Sequence, residues 1–372
     1  MQKDPFHIKP GLKVLIAPLD WGLGHATRCI PIIQYLLDQG CRVTLAGEGA
    51  AEVLLKSNFP ELEILSLTGY RIRYSQTASG FTTKILKQIP QILHAIRSEN
   101  HWLKTIQKQH QFDIVISDNR YGLKIPNTYC VIMTHQLQIQ TGMGKFADHL
   151  LQWAHYRILE KFDACWVVDR QGEDGLGGAL SQPLQIPDNA SYIGILSQLN
   201  PSVHKVQSDR QEILILLSGP EPMRGILEAL ILSQIESLTA YRFQIVAGNP
   251  LGSSPTNLPD HVTYYTHLNA IKLNILIANA SLVICRSGYS TLMDLAVMQK
   301  KALVVPTPGQ TEQEYLGERL GQMGIVWCQE QALLNLAADM PKALSCPGFR
   351  DAATPDDFRK TVLTTLVKQS RV

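Results

Sequence analysis

KVLIAPLDWGLGHATRCIPIIQYLLDQGCRVTLA, residues 13–46, opens on a compact apolar run, Lys13–Pro18, whose length and β-branched content read as a strand buried on both faces. A loop holding Gly22 and Gly24 follows. Residues 29–39 then carry Ile30, Ile33, Leu36 and Leu37 at helical spacing, and Gly40 stands where helix C-termini are commonly capped. Residues 42–46 are the next strand, so the segment is a βαβ unit and the sheet it starts is parallel.

The alternation continues outward from there. Strands are expected at 62–67, 112–117, 129–133 and 164–168, and helices at about 83–109 and 145–160, with Pro90 expected to kink or split the first of these. From 189 to 209 the chain turns polar and loses its period, which is how a linker reads, and the domain boundary is placed near Pro201. A second series follows, with strands at 212–217, 243–247, 262–265, 282–285 and 302–305 and helices at about 222–235 and 289–298. Thr354, Pro355 and two acids then offer the start of a closing helix over 355–369. The expected fold is α/β, with two doubly wound Rossmann-like domains, residues 1–200 and 201–353. A C-terminal helix within 354–372 would pack back toward the first.

Length and composition agree with two globular domains: 372 residues supply apolar material for two cores. A formal net charge of +2 gives no global field to gather nucleic acid. The seven cysteines are scattered and never spaced as CxxC, which argues against a disulfide framework or a structural zinc site and fits a reducing cytoplasm. The first ten residues carry Lys3, Asp4, His7 and Lys9 and do not read as a secretion signal, and no apolar run approaches the roughly 18 residues that cross a bilayer. Any membrane role would be peripheral, at the inner face.

Three loops could carry chemistry, all following strands, where ligands of open α/β sheets bind. The first is Asp20 to Arg28, with Gly22, Gly24, His25 and Arg28. Its glycines can bring backbone N–H groups to an anion, or can merely make a tight turn. A dinucleotide-binding reading, with Glu48 as the ribose acid, lacks the third glycine of G-x-G-x-x-G, where Thr27 stands. The second is Arg286-Ser287-Gly288-Tyr289-Ser290-Thr291, which opens a helix with Asp294 one turn inside. It suits phosphate, and equally an ordinary capped helix. The third is PTPGQTEQ, residues 306–313.

Together and in order, these pieces resemble a known family. DLAVMQKKALVVPTPGQTEQEYLGERL, following ICRSGYSTLM, is similar to the donor-binding domain of the two-domain GT-B glycosyltransferases of family 28 type, which include the peptidoglycan GlcNAc transferase and plant galactolipid synthase. GLGHATR resembles the glycine-His loop of their acceptor-binding domain. Residues 70–199 carry little of the likeness. The resemblance implies two domains facing across a cleft and a nucleotide-sugar donor, with UDP as its nucleotide. Ser218, Gly219, Arg286, Ser287, Gly288 and Thr291 would lie at the nucleotide and diphosphate, and Asp294 at the ribose. Gln310, Glu312 and Gln313 would face the sugar. Asp294 replaces the family's usual Glu and is one methylene shorter; Gln299 replaces a usual Gly and Gly317 a usual Asn.

Attack of an acceptor hydroxyl on an anomeric carbon needs a base within reach. His25 has the chemistry, and a carboxylate on its other nitrogen would orient it. Asp118 is one orienting acid, in a pairing similar to that of plant UDP-sugar transferases, and Asp20 is its rival. Thr134 and His135 could line the acceptor side. No Asp-x-Asp occurs, so no metal or other cofactor is expected, and the resemblance implies inversion. The acceptor could be a glycan or lipid-linked. A basic amphipathic segment between Tyr70 and His110, opposed only by Glu99, could lie on an anionic membrane or be an ordinary solvated helix face. A nucleotide-sugar hydrolase, a non-hydrolysing epimerase and a non-catalytic nucleotide-sugar-binding protein are the competing readings.

Overall fold

The computed structural model describes residues 11–20, 23–70, 81–138, 145–173, 175–202, 211–219, 221–249, 252–350 and 357–370. Their contacts divide into two compact units. The first holds described residues up to 70, 82–197 and 357–370; the second holds described residues 81 and 198–350.

The first unit is built on a seven-stranded parallel sheet: β1 (Lys13–Pro18), β2 (Arg42–Gly47), β3 (Ile64–Ser66), β4 (Ile114–Asp118), β5 (Tyr129–Thr134), β6 (Ala164–Val167) and β7 (Ala190–Tyr192). Its spatial order is β3-β2-β1-β4-β5-β6-β7. Val14, Leu15, Ile16 and Ala17 of the central strand are at most 1% exposed, and burial of each larger side chain stabilises by about 1.5–3 kcal/mol. Its helices are α1 (Gly24–Asp38), α2 (Gly49–Asn58), α3 (Phe81–His110) and α4 (Lys145–Leu159).

The second unit repeats the plan with six parallel strands: β8 (Glu212–Leu216), β9 (Arg242–Val246), β10 (Val262–Tyr265), β11 (Leu282–Cys285), β12 (Ala302–Val304) and β13 (Trp327–Cys328), in the order β10-β9-β8-β11-β12-β13. Its helices are α5 (Met223–Ile235), α6 (Ala270–Asn279), α7 (Tyr289–Val297), α8 (Thr311–Gln322) and α9 (Leu336–Ser345). The last helix, α10 (Asp357–Ser370), belongs to the first unit. Phe358 meets Tyr35 of α1 edge-on at 5.9 Å between ring centroids, and Arg359 lies over the same ring.

Several sequence expectations need correction. The segment from Gly24 to Arg28 is the first turn of α1 and not loop, so α1 begins five residues earlier than the apolar period suggests. Pro90 does not split α3, which runs unbroken; the residue is exposed, and water can satisfy the carbonyl that its missing N–H leaves free. Residues 190–192, read as linker, form edge strand β7 on β6. Glu99 does not oppose the basic face of α3. It is 2% exposed and ion-paired to Arg120 at 3.0 Å. Helices α2, α6 and α9 lie outside the expected elements, although Asn269 and Asn335 cap the last two through their side chains. Arg71 and Arg73 of the basic segment, and Thr354 and Pro355 ahead of α10, lie outside the described residues.

Candidate active site

Each sheet reverses its winding once, and each reversal gathers candidate residues. In the first sheet β1 and β4 are neighbours while β2 lies on the other side of β1, so the crevice beyond the carboxyl ends of β1 and β4 is the switch point where open α/β sheets bind ligands. His25 follows β1 on the first turn of α1, and Asp118 ends β4. Asn119 turns the chain there with φ +54°, a left-handed conformation that Asn tolerates.

His25 Nδ1 lies 3.0 Å from Asp118 Oδ2. Asp118 is fully buried. Arg28, three residues beyond His25 on the same helix face, donates from Nε to Oδ2 at 2.6 Å and from Nη2 to Oδ1. Its Nη1 donates to His135 Nδ1 at 3.0 Å. Burial by itself would raise the Asp118 pKa, but Arg28 and then His25 hold the carboxyl well below the usual carboxylate range. The His25 ring is 12% exposed and its pKa is lowered: desolvation disfavours the imidazolium, Asp118 opposes that, and the Arg28 charge adds to it. The result is a neutral imidazole beside a permanent carboxylate, the arrangement of a general base.

Asp20, the rival acid, is occupied elsewhere: its Oδ1 accepts the Tyr70 N–H at 3.2 Å, and a Cβ at Gly69 would sit 1.8 Å from its Oδ2. Glu48, the ribose acid of the dinucleotide reading, accepts the Gly69 N–H at 2.8 Å. Thr134 is buried, and its hydroxyl accepts the Gln136 N–H at 3.1 Å, closing a turn. Arg28, read as a loop contact, is 2% exposed and turned onto Asp118. Gly24 is the first residue of α1. Gly22 lies outside the described residues.

The second sheet switches between β8 and β11. Ser218 and Gly219 follow β8; Arg286, Ser287 and Gly288 follow β11. Gly288 is the N-cap of α7, and a Cβ there would meet nothing within 4 Å, so the amide-rich start of α7 has open space before it. Thr291 and Asp294 are half-buried in that helix.

Arg286 is held by the protein itself. It is 1% exposed; Nη1 donates to the carbonyls of Val305 and Pro306, each at 3.1 Å, and Nη2 to the Met223 carbonyl and Gln331 Oε1 at 2.8 and 2.7 Å. It braces the loops of the switch point with its terminal nitrogens engaged by the protein, and burial lowers its pKa to about 10. Ser287 is likewise buried, its hydroxyl donating to the Gln313 carbonyl at 2.7 Å. Gln313 shapes the loop after β12, accepting the Thr307 N–H at 2.9 Å and donating to Gln310 Oε1 at 2.5 Å. Glu312 lies on the first turn of α8. Gln331 was missed, and nothing in its local sequence marks it. The His25–Arg28 pairing would have been legible had residues 24–28 been read as helix. Among the described residues no three His, Cys, Asp or Glu side chains are grouped to hold a metal.

Comparison with known proteins relates the sequence and the fold to glycosyltransferases. Residues 232–345 match the glycosyltransferase family 28 C-terminal domain. Over 319 residues, 80% of this chain and 78% of the other, the sequence is 26% identical to the UDP-N-acetylglucosamine--N-acetylmuramyl-(pentapeptide) pyrophosphoryl-undecaprenol N-acetylglucosamine transferase of Idiomarina loihiensis. The fold is similar to the crystal structure of the glycotransferase of kitacinnamycin, at a TM-score of 0.67 and 14% identity over 98% of this chain and 96% of that one. It is similar also to the glycosyltransferase SnogD from Streptomyces nogalater, at 0.64 and 14% over 97% and 98%. The chain is therefore a glycosyltransferase of the GT-B type that carries a family 28 C-terminal domain.

Proposed function

We propose that this enzyme moves a sugar from a UDP-sugar onto a hydroxyl of a lipid-linked acceptor, inverting the anomeric centre without a divalent metal, in the synthesis of a cell-envelope glycan. The observation that carries the reading is the 3.0 Å contact between His25 and Asp118. With Nδ1–H donating to the carboxylate, the lone pair of Nε2 is left to take the acceptor's proton as its oxygen attacks. The acceptor oxygen bonds to the anomeric carbon as the bond to the diphosphate oxygen breaks, and one displacement inverts the centre. The imidazolium that forms is stabilised by Asp118.

The donor half belongs to the second unit. The amides at the start of α7, beside the open space at Gly288, and the Ser218-Gly219 loop suit the diphosphate, whose developing charge fixed N–H dipoles would stabilise. Asp294 would take the ribose hydroxyls, and Gln310, Glu312 and Gln313 the sugar. The chain's lack of an Asp-x-Asp pair supports metal independence.

A lipid-linked acceptor is supported by the pyrophosphoryl-undecaprenol named for the relative. None of the described helices is long and apolar enough to cross a membrane. Contact with the inner membrane face would be peripheral, through exposed apolar side chains on α4 such as Trp153, 56% exposed beneath the Arg157 guanidinium, and Leu151.

A melting-shift panel of nucleotide sugars tests the donor, since a ligand at about 100 times its Kd stabilises by about 2.7 kcal/mol. The UDP-sugars should shift the transition, and product analysis with EDTA present should show turnover and an inverted linkage. The reading fails if no nucleotide sugar shifts the transition at millimolar concentration. It fails also if the donor is consumed at full rate without acceptor.

A further inference from the structure

Arg28 is one of the few arginines of this chain that is fully enclosed, and the three nitrogens of its guanidinium are all engaged within one cluster. A carboxylate on a terminal sp3–sp2 torsion has a broad rotamer well, so burial alone does not aim Asp118 at His25. A guanidinium gripping both carboxylate oxygens does, because the fork matches the carboxylate plane. Arginine has no acceptor, so at the 3.0 Å contact with His135 it is the histidine Nδ1 that accepts, and the His135 proton sits on Nε2. That second contact fixes the orientation of the fork.

The charges matter as much as the geometry. A lone buried carboxylate beside His25 would favour the imidazolium and leave the ring unable to take a proton. Arg28 cancels that charge, so His25 faces an ion pair of zero net charge. Among the described residues, the charged and titratable groups facing the ring are Asp118 from β4, Arg28 from α1 and His135 from the turn after β5. Burial keeps the nearby Cys29 thiol and Tyr121 phenol protonated, so neither adds a charge.

We propose that Arg28 is the positioning residue of the His25 base: it holds Asp118 in the plane that orients Nδ1 and neutralises the carboxylate that the ring faces. The proposal rests on His25 being the base of the transferase reading, and it gives the GLGHATR segment an arginine that serves the dyad and makes no contact with the diphosphate. Arg28 touches no reacting atom.

NMR titration of the His25 ring, assigned against His25→Gln, reads this directly. In the wild-type protein the ring should titrate below histidine's ordinary value of about 6.5. In Arg28→Gln the midpoint should rise. In Arg28→Lys, which keeps the charge and loses the fork, the midpoint should stay low while kcat falls about tenfold or more at unchanged donor KM. An unmoved midpoint in folded Arg28→Gln overturns the proposal. So does an Arg28→Lys enzyme whose donor KM rises tenfold at unchanged kcat, which would assign Arg28 to the diphosphate. If Arg28→Gln does not fold because Asp118 is left unpaired, the split between kcat and KM in Arg28→Lys decides alone. The titration needs no turnover, so a chain that transferred no sugar would show itself separately, by an inactive wild type with the ring behaving as described.

Discussion

Pro18, the last residue of β1, is the Cα partner of Asp118, the last residue of β4, in the parallel pairing of the two central strands. Asp118 therefore stands where the chain leaves β1 for α1, and the first turn of that helix delivers His25 and Arg28 to the one carboxylate. Strand order, set by core packing, brings together residues ninety-three positions apart.

His25→Gln should lower kcat by about 10²- to 10⁴-fold, the usual contribution of a general base, and leave donor binding unchanged, because the contacts proposed for the diphosphate lie in the second unit. Steady-state kinetics together with calorimetric donor binding check both halves. An unaltered kcat would remove His25 from the chemistry.

Asp118→Ala should destabilise the fold by about 3–5 kcal/mol, since it strands the buried Arg28 cation, whereas Asp118→Ala combined with Arg28→Met should recover most of that loss. Urea midpoints of the wild type and the two variants make the comparison. Activity should stay low in the double variant, where the ring has lost its orienting partner.

Stability should fall on acidification through the histidine range. His25 and His155 both have lowered pKa values, each chiefly through burial, with His155 at about 4. Below about 6.5 the unfolded chain binds protons at these rings that the native chain refuses, so the free energy of unfolding declines as pH drops toward 4. Asp118 acts later: its folded value is depressed, so its contribution is complete above about 3.9 and is lost only in stronger acid. Denaturant midpoints at pH 7.5, 5.5 and 4.5 should decrease in that order.

Gly288→Glu separates donor binding from folding. The backbone there has φ −69°, accessible to any residue, and a Cβ meets nothing within 4 Å, so stability should change by no more than about 0.5 kcal/mol. A carboxylate at the tip of α7 should raise donor KM tenfold or more by repelling the diphosphate. Thermal melts and kinetics on one preparation suffice, and an unaffected KM would place the donor elsewhere.

Arg286→Met should behave as a structural lesion. It removes four hydrogen bonds around the second switch point and leaves the carbonyls of Val305, Pro306 and Met223 without that donor. A loss of about 2 kcal/mol or more is expected in chemical denaturation. A variant that melts like wild type while losing only donor affinity would restore Arg286 to the phosphate.

What the sequence determined by itself is local and periodic. Apolar runs marked the central strands of both sheets, and βαβ alternation implied parallel, doubly wound sheets. The loops after β1, β11 and β12 stood out as candidate ligand sites because they follow strands, and the loop after β8 only through the family resemblance. Tertiary structure alone decided which acid meets His25. Asp118 and Asp20 both end or follow a central strand, and only the seating of Tyr70 N–H on Asp20 and of Arg28 on Asp118 tells them apart. It also decided which arginines are braces, because a guanidinium after a strand reads alike whether it meets phosphate or carbonyls. Periodicity records which face of an element is buried; the partner of a buried charge is set by strands distant in sequence, whose neighbours are chosen only when the core closes.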